Sequence, residues 1–514
     1  MMARRWPAAA FVAAWTCVIV LGVMALPDDG YGRAGRGQSY RSSSSSSRSS
    51  SYRSSSSSRS YRSSSSRSSS YGGSSSRSYR SSGSTYRHYP SSTRHSSGSN
   101  ATRDIIIGFI VMGVLIAVFV IIVVFVVRYI RLKGRTMTLL NASAPPPSDR
   151  TEEIVAAVRR DDPEFSLEEF QRRAAEIFQR LQAAWSAGDM SPVRNYLSQG
   201  VYNRYRIQLE IMRDVEGVKN VMSDINVSRT GLAAFDDAGA YQTLHVTVYA
   251  SARDVTVPAG ASDDETSRAL AAAPVSPFTE IYSFTRKRGA RTDAAKDWLK
   301  GQCPNCGFVP DNFSQVNKCP SCGSIYNSGE YDWVLSEITQ SGEWHGGSAA
   351  DVPGLAELGA ANLSMNRQVV EDRTSYLFWR WIQSRVRGSA APLARDAVAD
   401  YKSAFNVASR EYLGEIAVGA VDLKSIDIES GRARTEAQVL WSASSAQGAE
   451  PRHHEHTLRL GMSAATENRF GLADHGCGKC GAPLPETDAL ACAYCGAPLP
   501  EVNEDWLLEG INGN

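Results

Sequence analysis

The chain has 514 residues, enough for two or three domains of ordinary size, yet its first 150 contain almost nothing that could build a core, so the folded part starts near Arg150. The net charge of +2 hides an uneven distribution: Tyr31 to Arg103 carries thirteen Arg and no Asp or Glu, and the remainder is mildly acidic. Nine cysteines, Cys17 and two sets of four, exclude a disulfide framework if both sets face a reducing compartment, as the topology below predicts.

Residues 1–25 combine Arg4 and Arg5, an apolar stretch from Ala8 to Leu21, and Val23 and Ala25 at the small-residue positions of a cleavage site. That is a secretory signal pattern, with an uncleaved first span as its alternative. Residues 26–103 are runs of Ser broken by Arg and Tyr, which predict a disordered, solvated tether outside the membrane. Nucleic acid is not an expected partner there, because a signal sequence stands in front and a membrane behind; anionic envelope polymers or lipid headgroups are the remaining alternatives to a plain spacer.

Ile105 to Val127 (IIIGFIVMGVLIAVFVIIVVFVV) holds no charged or hydrogen-bonding side chain. As a helix it spans roughly 34 Å at about 1.5 Å per residue, enough to cross a hydrocarbon core of about 30 Å, so residues 104–128 read as a single transmembrane helix. Arg128, Arg131, Lys133 and Arg135 follow it at once. By the positive-inside rule the chain beyond Val127 is cytoplasmic and the tether extracytoplasmic, the arrangement of a single-pass inner-membrane protein.

A juxtamembrane linker and helix (129–160), with Pro145, Pro146 and Pro147 in the linker, lead to the first domain, 161–341. Ser166 and Glu169 form a capping box, with Phe165 and Phe170 at the staple positions. Phe170, Ala174, Ile177, Phe178, Leu181, Ala184 and Trp185 then recur at helical spacing until Gly188, and Ser191 and Pro192 open a second helix with Val193, Tyr196 and Leu197 on its apolar face. Downstream the period falls to two, in Tyr241–Ala252 and Phe278–Arg286. Helices followed by antiparallel strands give an α+β fold with helices over one face of a curved sheet.

Cys303, Cys306, Cys319 and Cys322 (ribbon 301–325) and Cys477, Cys480, Cys492 and Cys495 (ribbon 475–498) repeat one pattern: CPNCG, CPSCG, CGKCG and CAYCG. In each, the Gly after the second Cys permits the tight turn that aims two thiolates at one ion. Four thiolates close a tetrahedral shell and leave no place for water, so two structural Zn2+ sites are expected, with iron open as the alternative metal. The flanks of the quartets align too: EIYSFTRKRG and EYDWVLSEITQ around the first, EHTLRLGMSA and NEDWLLEGIN around the second. Each ribbon therefore replaces the turn between the last two strands of a sheet. Tyr376–Arg387 and Pro392–Phe405 read as a degenerate copy of the Phe170–Tyr205 helices, so after a linker (342–364) residues 365–514 are a shorter, diverged second copy.

The first copy, over about 160–340, resembles a Tim44-like domain, the family of the peripheral adaptor of the mitochondrial inner-membrane translocase and of bacterial relatives. Asp162, Pro163, Phe165, Phe170, Ala174, Phe178, Leu181, Ala184, Trp185, Gly188, Asp189, Asp332 and Trp333 carry the resemblance. It implies a cone-shaped, nuclear-transport-factor-two-like α+β fold, membrane association, and tethering of proteins in transport or membrane-protein assembly. The mitochondrial adaptor lacks ribbons, is not doubled and is peripheral rather than spanning, and a fold does not transmit function by itself.

An enzyme is not expected: there is no phosphate loop and no nucleophile motif. On the strand at 241–252, Leu244, Val246, Val248 and Ala250 share one face and Tyr241, Thr243, His245, Thr247 and Tyr249 the other. The second face is expected to be a half-exposed outer surface; were it instead to line a cone cavity, His245, Tyr241 and Tyr249 would bind a polar ligand or move a proton. His453, His454 and His456 lack the helical i, i+4 spacing of a zinc protease. The expectation is thus a membrane-anchored adaptor that binds protein partners, and lipid through charged helices such as Glu168–Arg180, at the cytoplasmic face; a homo-oligomer is compatible with it. The alternative is a small-molecule sensor using the cone cavity.

Overall fold

The computed structural model describes residues 150–514, apart from 238, 294, 297, 345–351, 363–364, 406–408, 465–470, 474, 488 and 514. The signal pattern, the tether and the apolar run at 104–128 lie outside the described residues. Among those described, no helix is long and apolar enough to cross a membrane.

Helix α1 (Thr151–Asp161) packs Ile154 and Val158 inward and leads into α2 (Leu167–Ala187). The Ser166 side chain accepts the Glu169 amide, Phe165 stands 5.6 Å from Phe170 as a staple requires, and Gly188 ends the helix at φ 71°. All seven apolar positions of the predicted stripe are buried. The segment after Gly188 differs from expectation. Ser191–Tyr196 is a 3-10 turn capped by Met190, and Ser191 is instead held by the Asp189 carboxylate. The true cap of the next helix, α3 (Gln199–Ile211), is Ser198.

Four antiparallel strands follow in meander order: β1 (Val218–Asp236), β2 (Tyr241–Pro258), β3 (Ser276–Lys287) and β4 (Val334–Gln340), with α4 (Asp263–Ala272) between β2 and β3. Register places Leu244, Val246 and Ala250 opposite Phe284, Tyr282 and Phe278. That apolar face receives α2 through Phe170 against Phe284 and Phe178 against Tyr282 and Phe278. Trp333, just ahead of β4, closes the same core against Phe170.

The second copy repeats the plan: α5 (Leu355–Ala361), α6 (Arg367–Arg387), a 3-10 turn, α7 (Ala399–Ala404), then β5 (Gly414–Glu429), β6 (Arg432–Ser444), β7 (Arg452–Ser463) and β8 (Leu507–Gly513) in the same order. Correspondence runs residue by residue. Asn366 caps α6 as Ser166 caps α2, Gly388 ends it as Gly188 does, and Ala397 bridges Leu508 in parallel as Leu197 bridges Leu335. The two long helices differ in burial. Eight residues of α2 are buried, leaving Arg172, Glu176 and Arg180 as an ion-paired outer face, whereas fifteen of the twenty-one in α6 are buried because α3 of the first copy packs on it. At that contact the Asp372 carboxylate takes the Ser198 hydroxyl at 2.5 Å and the Gly200 amide at 3.3 Å, so α6 supplies a negative charge to the N-terminus of α3.

The tandem arrangement overturns the expected outer surface on β2. Every residue from Tyr241 to Val248 is buried, on both faces, and only Tyr249 of the polar set is half-buried. Trp344, in the segment after β4, lies 5.6 Å from the His245 ring, and Leu472 of the second copy reaches the backbone beside Tyr241. Alternation of polar and apolar residues correctly gave two faces, but the second face is covered by chain from far along the sequence rather than by water.

Candidate metal centres

Each quartet is two knuckles brought together at the end of a sheet. In all four knuckles the amide of the Gly after the second Cys returns to the carbonyl of the first, at 2.8–2.9 Å: Gly307 to Cys303, Gly323 to Cys319, Gly481 to Cys477 and Gly496 to Cys492. Those glycines stand at φ 76°, 78°, 71° and 67°, the left-handed region in which a side chain is strained. The amides of Cys303, Cys319, Cys477 and Cys492 in turn reach the carbonyls of Phe308, Ser324, Ala482 and Ala497.

The sulfurs converge as a tetrahedral metal requires. Cys303 and Cys322 Sγ are 3.7 Å apart and Cys306 and Cys319 3.8 Å; in the second set Cys477 and Cys495 are 3.7 Å apart and Cys480 and Cys492 3.8 Å. Metal–sulfur bonds of about 2.3 Å at the tetrahedral angle put sulfurs about 3.8 Å apart, far beyond the roughly 2.05 Å of a disulfide. Burial raises the Cys303 thiol. Burial acts the same way on Cys322 and Cys492, but hydrogen bonds from Ser324 bring the former down to about 6, and amides of Cys495 and Tyr494 bring the latter to about 7. The donor set of four sulfurs with knuckle amides aimed at them fits a thiophilic ion such as zinc, and among the described residues these two quartets are the groups of His, Cys, Asp and Glu placed to hold one.

Equivalent positions of the two copies anchor the ribbons. Asn195 donates to the carbonyls of Phe313 and, at 3.0 Å, Val316 in the first ribbon, while Arg395 donates to Pro500 and Ala489 around the second. The Asp–Trp pair that follows each ribbon is tied to the long helix of its copy, Asp332 to Arg173 at 2.6 Å and Asp505 to Arg373 at 3.6 Å. The ribbons also meet each other. Asn317 N–H donates to Gly481 O at 3.0 Å, Lys318 Nζ to Gly478 O at 2.6 Å, and Val316 lies buried among Cys477, Ala482, Cys492 and Leu499.

The histidines take structural parts. His245 is 3% exposed, with Nδ1 2.8 Å from Ser283 Oγ and Nε2 3.1 Å from Asp236. It lies beneath Trp344 rather than in an open cleft. His453, His454 and His456 lie on β7; His456 Nδ1 accepts the Trp441 indole N–H at 3.0 Å, and the His454 ring stacks on Trp441. Sequence reasoning missed the residues that join the copies. Glu486, in the second ribbon, receives Arg206 of α3 and Arg380 and Arg387 of α6, and these arginines outweigh its burial and hold its carboxyl at about 2. A lone Glu after Pro485 gives no sign of this.

Residues 151–299 match the family model described as the Tim44-like domain, so both quartets and the second copy lie beyond the matched segment. No curated protein matches the chain. Among solved structures, an "Ntf2 like protein involved in plasmid conjugation" aligns with 57% of this chain and 96% of its own length, at 8% identity and a TM-score of 0.15. The chain carries a Tim44-like domain at residues 151–299.

Proposed function

We propose that the protein is a membrane-anchored adaptor that binds other proteins at the cytoplasmic face of the inner membrane, in protein transport or membrane-protein assembly. The observation that carries this reading is the Tim44-like domain, which begins at residue 151 soon after the apolar run Ile105–Val127. In this reading the run spans the bilayer, the Ser/Arg/Tyr-rich tether lies outside, and both domains lie inside. Cys303, Cys306, Cys319 and Cys322 hold one Zn2+ and Cys477, Cys480, Cys492 and Cys495 a second. With four thiolates each, the ions have no open position and serve to order the ribbons. The sensor alternative loses support, because the His245 face that it needs is filled by Trp344 and neighbouring chain.

The test is purification of the full-length protein from its own membranes in mild detergent after cross-linking, with mass spectrometry of what is bound. Translocase, insertase or chaperone subunits are the expected recovery. Recovery with one small molecule and no protein would overturn the adaptor reading.

A further inference from the structure

We infer that the two four-cysteine centres load and release metal as one unit and form a metal-dependent latch between the two domains; this rests on the reading that both quartets hold metal. A ribbon of this size cannot build a core of its own, and metal binding normally supplies its folding free energy. Here each ribbon borrows from the other. The stretch between the two knuckles of the first ribbon supplies Val316, 6% exposed, to the small cluster that contains Cys477 and Cys492 of the second. The next two residues, Asn317 and Lys318, bind the carbonyls of Gly481 and Gly478, which flank Cys480 and Cys477. The packing leaves no slack. A Cβ at Gly481 would lie 2.4 Å from Lys318 Cβ and 2.7 Å from Lys318 N, and one at Gly476 would lie 2.8 Å from Asn317 Oδ1. Lys318 precedes Cys319 and Gly481 follows Cys480, so the joint is made by the immediate chain neighbours of one ligand from each centre.

The same joint reaches the domain contact. Leu472, on the approach to the second ribbon, donates its amide to Ser328 O at 3.1 Å, just past the first ribbon, and accepts the Gln199 amide at the start of α3 at 2.7 Å. Glu486, between the knuckles of the second ribbon, holds Arg206 of α3 at 2.6 Å. Emptying the first centre frees residues 316–318, opens the small cluster of the second ribbon and weakens its second centre; the ordered approach at Leu472 and the Glu486 bridge then loosen together. Emptying the second removes the Gly481 backbone that the first ribbon leans on.

The test uses the full-length protein in detergent. Bound zinc and iron are counted by elemental analysis, and release to excess chelator is followed with a metal-sensitive dye. The wild type is expected to hold two ions and release them in a single phase. The double substitution Cys303→Ser, Cys306→Ser leaves the second quartet intact, yet its ion should leave at least about tenfold faster than from the wild type, and Cys477→Ser, Cys480→Ser should do the same to the first. Val316→Ala keeps all eight thiols and so guards against a variant that simply fails to fold; both ions should still leave together, about tenfold faster. Retention of one ion at the wild-type release rate in either Cys variant, or two separate phases in Val316→Ala with only one accelerated, would overturn the coupling. A wild-type protein without metal would instead overturn the assignment of the centres.

Discussion

Gly200 is the position at which the packing of the two copies makes its sharpest prediction. It lies in the first turn of α3, and within a helix Gly→Ala ordinarily gains up to about 1 kcal/mol by restricting the unfolded chain. Here the added Cβ would stand 2.4 Å from Asp372 Oδ1 and 2.7 Å from Asp372 O, and the second atom is backbone of α6 that cannot rotate away. Overpacking of this kind costs about 1–3 kcal/mol. Pushing Asp372 back also lengthens its bonds to the Ser198 hydroxyl and the Gly200 amide, and a buried charge-assisted bond is worth about 1.5–3 kcal/mol. The net expectation for Gly200→Ala is a loss of about 2 kcal/mol, a melting temperature lower by about 4–8 °C at about 2–4 °C per kcal/mol. Gly359→Ala is the control, since a Cβ there meets nothing within 4 Å in α5; it should be neutral or slightly stabilising. The assay is thermal unfolding of the full-length protein in detergent with all three chains side by side. If Gly200→Ala were as stable as Gly359→Ala, α3 and α6 would not be packed as described and the burial of α6 would need another cause.

Asp162 and Asp161 are neighbours with unequal expected costs. Asp162 is fully buried, pairs with Arg286 at 2.8 Å and takes the Thr292 amide and hydroxyl, so Asp162→Ala strands a buried guanidinium and should cost about 3–5 kcal/mol; Asp161→Ala loses a half-exposed contact to Arg288 and one bond from the buried Gln242 amide, which keeps Asp237, and should cost only about 1–2 kcal/mol by denaturant unfolding. Burial, with Arg385 and His454 nearby, lowers His456 to about 4 from a model-peptide value near 6.5. A depressed folded value means that this contribution is complete above pH 6.5 and is lost as pH falls toward 4, and His456→Gln, whose amide oxygen can still accept the Trp441 N–H, should flatten that part of the stability profile. Glu486 acts in a lower window: its folded value of about 2 lies below an unfolded value near 4.3, so its contribution is complete above pH 4.3 and fades toward pH 2. Glu486→Gln should remove that acid sensitivity and weaken the hold of α3 on the second ribbon, read as faster proteolysis between the copies.

Local chemistry made much of this protein legible from its residues. The α2 stripe, its Ser166 cap and its Gly188 stop are decided within a few turns of chain, and each appears where the spacing put it. The knuckles were readable for the same reason, since two cysteines and a glycine within five residues fix a turn without outside help. The duplication followed from matching flanks, and Arg173 with Asp332 and Arg373 with Asp505 now give it a physical basis.

What only the tertiary structure decided depends on partners far apart in the chain. The polar face of β2 looked solvent-facing because alternation reports that two faces differ, not what covers them; His245 is buried by Trp344 and its strand neighbours. The sequence read Tyr376–Arg387 of α6 only as a degenerate copy of the first helices, whereas Asp372, Arg373, Arg380 and Gln383 of that helix are each buried against a partner from another element. The same holds for Val316 and Gly481, which carry no local mark of the ribbon contact they make. Sequence periodicity encodes the faces of an element, whereas the identity of the neighbour on each face emerges only when the whole chain is packed.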